Sequence, residues 1–456
     1  MADEKKEKKY KNEYTLQNAL VKGDVFTRLN CLVCGIGNMA RGQVVKGLLS
    51  LSVEVAFIVF MIKRGLYNLS MLPSLGDNAQ QEVWNEKKGI YEYTAGDNSV
   101  LILLYGIVAV CLCIAFIIFW TGSMKSAYKA YYLKKNGKHV NNFSEDMASL
   151  LDKNLYRLLL TGPVAGVLIF TILPLIFMIS MAFTNYSKQD DHMVLFDWVG
   201  LKVFGQVLNL NSSIGQTFWG VLAWTIVWAF FATFLNYFFG MILAIVINRK
   251  DTHWKGFWRF CFVLSIAVPQ FVSLLIMRTI LQPQGAVNVM LQNAGLIKSA
   301  LPFFTNTTWA RITVIVINLW VGIPFTLIQV TGILQNIPGE LYEAAKVDGA
   351  GAVTIFFKIT LPYMLFVTTP YLITTFMNNI NNFNVIYLLS KGEPVPVGRT
   401  AGKTDLLITW LYKLTIDNQY FNIGAAIGIM TFIVMAVLSL VTYRRSGSYK
   451  NEEGMS

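Results

Sequence analysis

Long apolar runs separated by short polar stretches dominate this chain. Runs at about 47–62, 100–120, 158–183, 217–247, 260–280, 312–334, 361–380 and 424–442 are nearly free of charge. About 20 apolar residues in an α-helix cross the ~30 Å hydrocarbon core of a bilayer, so the pattern predicts an all-α polytopic membrane protein with eight transmembrane helices. The fourth run is longer than one crossing needs and predicts tilt or an attached loop helix. Pro163, Pro174, Pro269, Pro324 and Pro370 fall inside runs and predict kinks around a cavity. Ahead of the first run, Leu16, Leu20, Phe26, Leu29, Leu32 and Val33 recur at near-helical spacing. Two readings stay open there: an interfacial helix, or an amphipathic tail packed on the protein. A cleaved signal peptide would place its apolar region earlier and is not expected.

Composition agrees with the pattern. Of 456 residues, 54% are hydrophobic and 14% charged, with a mean hydropathy of +0.49; a soluble domain carries about 25% charged residues. A soluble enzyme, a disulfide scaffold and a disordered chain are excluded. In a membrane protein the net charge of +12 reads as cytoplasmic loops and lipid contact, not nucleic acid. With both termini on one side, the segments of that side hold about twice as many Lys and Arg as the other side. The excess places both termini in the cytoplasm, with the loop at 121–157 as the clearest inner marker. Cys31 and Cys34 form a lone C-x-x-C without a second pair or nearby histidine, so no metal site is expected. No clustered acids, histidines or nucleophiles suggest catalysis, and no catalytic residue is assigned.

The most informative loop lies between the sixth and seventh runs, from Ile337 to Pro362. Pro338 opens a short helix, with Glu340 and Glu343 near its positive end. Ala344 and Ala345 give it a smooth face, and Gly349 and Gly351 permit a sharp exit; Asp348, beside them, is counted with the coupling residues. Such a helix on the cytoplasmic surface suits docking into a groove on another protein.

The spacing Glu343-Ala344-Ala345, Gly349, Ile359, Leu361-Pro362 resembles the EAA signature of binding-protein-dependent ABC importer permeases. The resemblance implies that this segment, within 335–362, is the coupling helix seated in a separate ATPase, with Glu343 meeting that partner and Gly349 setting the turn. It extends over about 155–445, which looks like the six-span core of the sugar-importing branch, most of all the maltose/maltodextrin permeases of MalF type. Asn318 to Phe325, Asn378 to Phe383 and Thr404 to Leu407 carry it. It implies a chain divided into a basic amphipathic segment (1–46), two additional spans with a basic cytoplasmic loop (47–154), the core (155–445) and a cytoplasmic tail (446–456). By position it implies sugar contacts from Val321, Gly322 and Phe325 and from Thr375, Asn378, Asn379 and Asn382. A sugar wants uncharged amide and hydroxyl partners plus an aromatic face, and asparagines near a bilayer boundary are costly unless they bond.

The expected function is a permease subunit that moves maltose or maltodextrins inward across a bacterial plasma membrane; galactosides or raffinose-type sugars are the alternative. The resemblance implies a second permease subunit, an ABC ATPase dimer and an extracellular sugar-binding protein as partners. ATP and Mg act on the ATPase, and this chain binds no cofactor. An ion-coupled secondary transporter would need paired intramembrane acids or internal repeats, and only Glu54 stands alone in a run. That carboxyl is expected to be paired or protonated at a helix interface. Arg278 and Arg311, near run ends, are expected to snorkel. The loop at 184–216 is far shorter than the folded domain of Gram-negative relatives, so no docking residues are transferred; it resembles Gram-positive relatives instead. The segment Gly398 to Thr404 lacks the spacing of a phosphate loop and is read as an ordinary loop.

Overall fold

The computed structural model describes residues 13–445 apart from 87, 94, 95, 190 and 250. The tail 446–456 and the N-terminal lysines before it lie outside the described residues. Seven described helices are long and apolar enough to cross a membrane: Val44–Met71, Ser99–Lys135, Leu155–Met181, Ser213–Asn248, Thr307–Gln335, Ala352–Ile380 and Phe421–Arg444. A bent pair, Lys255–Ala267 and Gln270–Ile280 with 86° between its halves, makes an eighth crossing where its two helices count as one span. In chain order these match the eight apolar runs, the bent pair being the fifth span.

Proline explains where the spans depart from straight helices. Val268 adopts an extended ψ of 124° before Pro269, as a residue preceding proline prefers, and the fifth span breaks there. Pro174 and Pro362 each follow a wide π-turn, Leu168–Ile172 and Phe356–Thr360. The Leu173 N–H then donates to the Leu168 carbonyl and the Leu361 N–H to that of Phe356. These turns accommodate a ring that cannot continue the ordinary ladder.

The chain forms two compact units, residues 1–186 with 190–200, and residues 187–189 with 201–456. In the first unit the leading segment is three short helices, Leu16–Lys22, Val25–Leu29 and Ile36–Met39, rather than one. They fold against the second span, where Ala19 is buried with Met124 and Tyr128. That packing carries the second span helically on to Lys135, through much of the stretch expected to be loop. Glu54 is buried in the first span, and its Oε2 accepts the Cys34 N–H at 2.7 Å. Phe57 and Phe116 stack at 4.1 Å between the first and second spans. A two-stranded hairpin, β1 (Glu82–Asn85) and β2 (Ile90–Tyr93), joins these spans with Trp84 opposite Tyr91; the run pattern did not predict it. The segment after the third span folds back on the unit: Trp198 Nε1 donates to the Leu72 carbonyl and the Phe196 N–H to Ser99 Oγ.

In the second unit the fourth span packs along the sixth and seventh. One dry cluster gathers Trp224, Trp228, Ala232, Leu274, Phe304, Val314 and Leu389. A second gathers Tyr237, Met241, Ala244, Leu327, Val330, Ile337 and Met364. Between them the fourth span carries Thr233 and Asn236, so two apolar layers enclose a polar one halfway along the helices.

Candidate functional site

The conspicuous loop builds the helix expected of it. Pro338 precedes Gly339–Val347, and Glu340 lies in the first turn. Ile337 is buried and Tyr342 Oη meets Thr360 Oγ1 at 3.2 Å, fastening one face to the unit. Ala345 is half-buried on that side, while Glu340, Leu341, Glu343, Ala344, Lys346, Val347 and Asp348 face outward. Val347 is 88% exposed. Such a surface, apolar at Leu341 and Val347 and carrying charge, fits a partner better than water. The Gly349 N–H donates to Lys346 O and the Ala350 N–H to Ala345 O, closing the last turn. Gly349 has φ +76°, which a side chain adopts only under strain. Ile359 and Leu361 are half-buried and Pro362 exposed; these three form the re-entry into the seventh span, not the outward face.

The second constellation is the polar layer. Asn379 is buried; its Nδ2 donates to Thr233 Oγ1 at 3.0 Å, and its backbone carbonyl accepts Trp228 Nε1 at 3.1 Å. Asn382 Nδ2 donates to Asn379 Oδ1 at 3.3 Å, while Asn382 Oδ1 accepts the Val385 N–H. Both asparagines therefore frame the layer. Thr375 is half-buried and Asn378 exposed one turn away. On the sixth span, Val321 packs against the first dry cluster, Gly322 is half-buried and Phe325 is 51% exposed. A Cβ on Gly322 would collide with the amide of Asn236. Spans four and six therefore approach through glycine here.

The sequence pattern passed over Asn236, although an amide midway along an apolar run was the available signal. Asn236 donates to the Ala232 carbonyl at 2.7 Å, yet its Oδ1 is buried without a partner, as is Asn318 Nδ2. Two unsatisfied amide groups in a bundle interior are costly.

At the opposite end of the sixth span from the exposed helix, the loop 391–406 is stapled in place. Asp405 is buried; Lys413 Nζ donates to it at 2.6 Å, the Gly402 N–H at 2.7 Å and Thr409 Oγ1 at 2.9 Å. Burial pushes the Asp405 carboxyl up, against the pull of Lys413 and these hydrogen bonds. The two run-end arginines bond the backbone at and beside this loop. Arg278 donates to the Leu389 carbonyl at 2.9 Å and to Glu393 at 3.0 Å. Arg311 donates to the Lys403 carbonyl at 3.0 Å and lies 4.4 Å over the Trp224 ring.

Comparison with known proteins agrees with this geometry. The family of binding-protein-dependent transport system inner membrane components matches residues 236–445. The chain is 32% identical over 428 residues to the galactooligosaccharides transport system permease protein GanP of Bacillus subtilis, covering 92% of this chain and 97% of that one. It is equally 32% identical over 435 residues to the maltodextrin transport system permease protein MdxF of the same organism, covering 93% and 96%. To the maltose/maltodextrin permease MalF of Escherichia coli K12 it is 36% identical over 251 residues, 54% of this chain and 48% of that one. A crystal structure of a bacterial ABC transporter that imports the acidic polysaccharide alginate shares the fold with TM-score 0.52 and 22% identity, covering 66% of this chain and 97% of that one.

Proposed function

From the premise that the chain belongs to the binding-protein-dependent transport system inner membrane components and is a permease subunit of an ABC sugar importer, we propose that it carries maltodextrins into the cell. The polar layer carries this reading. It is built from Thr233, Asn236, Asn318 and Asn379 with no charged side chain among them, which suits a neutral polyol and would leave an acidic sugar's carboxylate uncompensated. Val321, Gly322, Phe325, Thr375, Asn378, Asn379 and Asn382 surround the sugar's route, with Phe325 offering a ring face. Galactooligosaccharides are the second reading, because GanP matches as well as MdxF does.

The chain itself makes and breaks no covalent bond. Glu343, Ala344 and the outward face of Gly339–Val347 dock on an ABC ATPase dimer, which uses ATP and Mg. A second permease subunit supplies the other half of the pathway, and an extracellular sugar-binding protein delivers the substrate. Both termini and the docking helix face the cytoplasm, and the 391–406 loop faces outward. ATP-driven closure of the ATPase pair moves the docking helix and turns the polar layer toward the opposite side; this requires contacts that differ between the two states.

The test is uptake of labelled maltotriose in cells with and without this chain, challenged by excess unlabelled maltose, galactosides or raffinose-type sugars. Chain-dependent uptake suppressed only by maltodextrins supports the proposal. Suppression by galactooligosaccharides moves the assignment to the second reading.

A further inference from the structure

The N-terminal elbow of the first unit is fixed more closely than a connection requires. Asn30 Oδ1 accepts the N–H groups of Gly35 at 2.7 Å and Gly37 at 3.2 Å, and its Nδ2 donates to Ser123 at 3.1 Å. Asn38 donates to Gln43 at 2.7 Å and to Ser126 at 3.1 Å. Gly35, at φ +93°, lies against Gly47, and a Cβ on Gly37 would come within 2.6 Å of that of Ala127. The glycines let the elbow press onto both spans at once.

Beside this frame lies a cavity of about 430 Å³ lined by Asp24, Phe26, Arg41, Tyr131, Lys134 and Lys135. Arg41 is spent: it is buried and bonds the Gly37 carbonyl, Asp24 and Thr27. The charge of Asp24 is thereby balanced. Lys134 is exposed and makes no ion pair among the described residues, and Lys135 Nζ lies 5.6 Å over the Tyr131 ring. Two positive charges remain facing the cavity.

Its surroundings decide what such a cavity takes. Val25, Phe26, Leu29 and Leu32 on the elbow are 40–76% exposed. Directly after it Val44, Val45, Leu48 and Leu49 begin the exposed apolar surface of the first span. That surface places the elbow at one edge of the hydrocarbon core, where basic and aromatic side chains meet head groups. A small soluble anion would use the lysines and leave the apolar rim in water. We propose that this cavity seats the head group of one anionic phospholipid, its phosphate against Lys134 and Lys135 and its acyl chains along the apolar surface beginning at Phe26.

The full chain, purified in detergent and incubated with equimolar phosphatidylglycerol and phosphatidylcholine, is read by native mass spectrometry. One phosphatidylglycerol is expected to stay bound, favoured about tenfold over phosphatidylcholine, and the double variant Lys134→Gln/Lys135→Gln is expected to erase the preference. Lys125 and Lys129, exposed on the same helix outside the cavity, serve as the control, and Lys125→Gln/Lys129→Gln should keep it. Excess inorganic phosphate should leave the bound lipid in place. Equal retention of both lipids by the wild type, an equal loss in the control pair, or displacement by inorganic phosphate overturns the proposal; the last would leave a plain anion site.

Discussion

At the scale of single residues, Gly322 and Asn236 make the sharpest claim about the transport route. Alanine at 322 has no room beside the Asn236 amide, and overpacking of this kind costs about 1–3 kcal/mol. Gly322→Ala is therefore expected to cut uptake about tenfold, and adding Asn236→Ala to restore much of it. If the double variant is no better than the single one, the close approach is not what limits transport. Asn379→Ala leaves Thr233 and Asn382 without their partner and should raise the sugar concentration for half-maximal uptake; unchanged kinetics would deny it a place in the route. Sequence alone pointed to Asn379 and Asn382, because amides in a membrane span demand an explanation. It could not show that Asn379 is held by internal bonds, since Thr233 and Trp228 lie some 150 positions earlier in the chain.

Elements show where periodicity and spacing are informative. The helix 339–347 was readable because its signals are local: proline before it, Glu340 in its first turn, glycine after its end. Gly349→Pro is expected to abolish sugar-stimulated ATP hydrolysis in the assembled transporter while the chain still inserts and co-purifies with its ATPase. Wild-type stimulation in that variant would remove the coupling role. The break at Pro269 was expected from the proline and not from hydropathy, and the extension of the second span to Lys135 was not expected at all. The first needs the proline's geometry to prevail over an apolar run. The second needs the N-terminal helices, whose packing keeps a polar stretch helical. The loop 391–406 likewise looked like an irregular connection, because Asp405 and Lys413 gain meaning only once Gly402 and Thr409 converge on the same carboxylate. Lys413→Met leaves that carboxylate buried without its cation, a loss of about 3–5 kcal/mol, seen as a lower thermal midpoint. A buried carboxyl with a raised pKa favours the folded state when protonated, so lowering the pH should recover part of that loss. A deficit that deepens with falling pH would refute this account.

For the whole molecule, the orientation we propose rests on the distribution of Lys and Arg and on what the two ends of the sixth span carry. That helix, 29 residues long, is about 43 Å from end to end, so the proposed orientation puts Val347 and Val397, both almost fully exposed, on opposite sides of a bilayer. In a background lacking the native cysteines, Val397→Cys in intact cells should react with a membrane-impermeant maleimide, and Val347→Cys only after the membrane is inverted. The reverse pattern would turn the molecule over and leave the docking helix facing away from any ATPase. Hydropathy also anticipated eight crossings, because that property sums over many residues and tolerates local error. The division into two compact units was not legible, because it depends on which spans bury one another.

The buried Glu54 has a consequence for biogenesis. Its carboxyl accepts the Cys34 N–H, and the turn that presents this N–H is braced against the second span by Asn30 reaching Ser123 and by Trp120 Nε1 donating to the Cys31 carbonyl. As the ribosome delivers the chain, the first span emerges with an acid whose partner turn lacks that brace until the second has followed. The translocon therefore has reason to hold the first span back and release the two together, as a helical hairpin closed by the elbow.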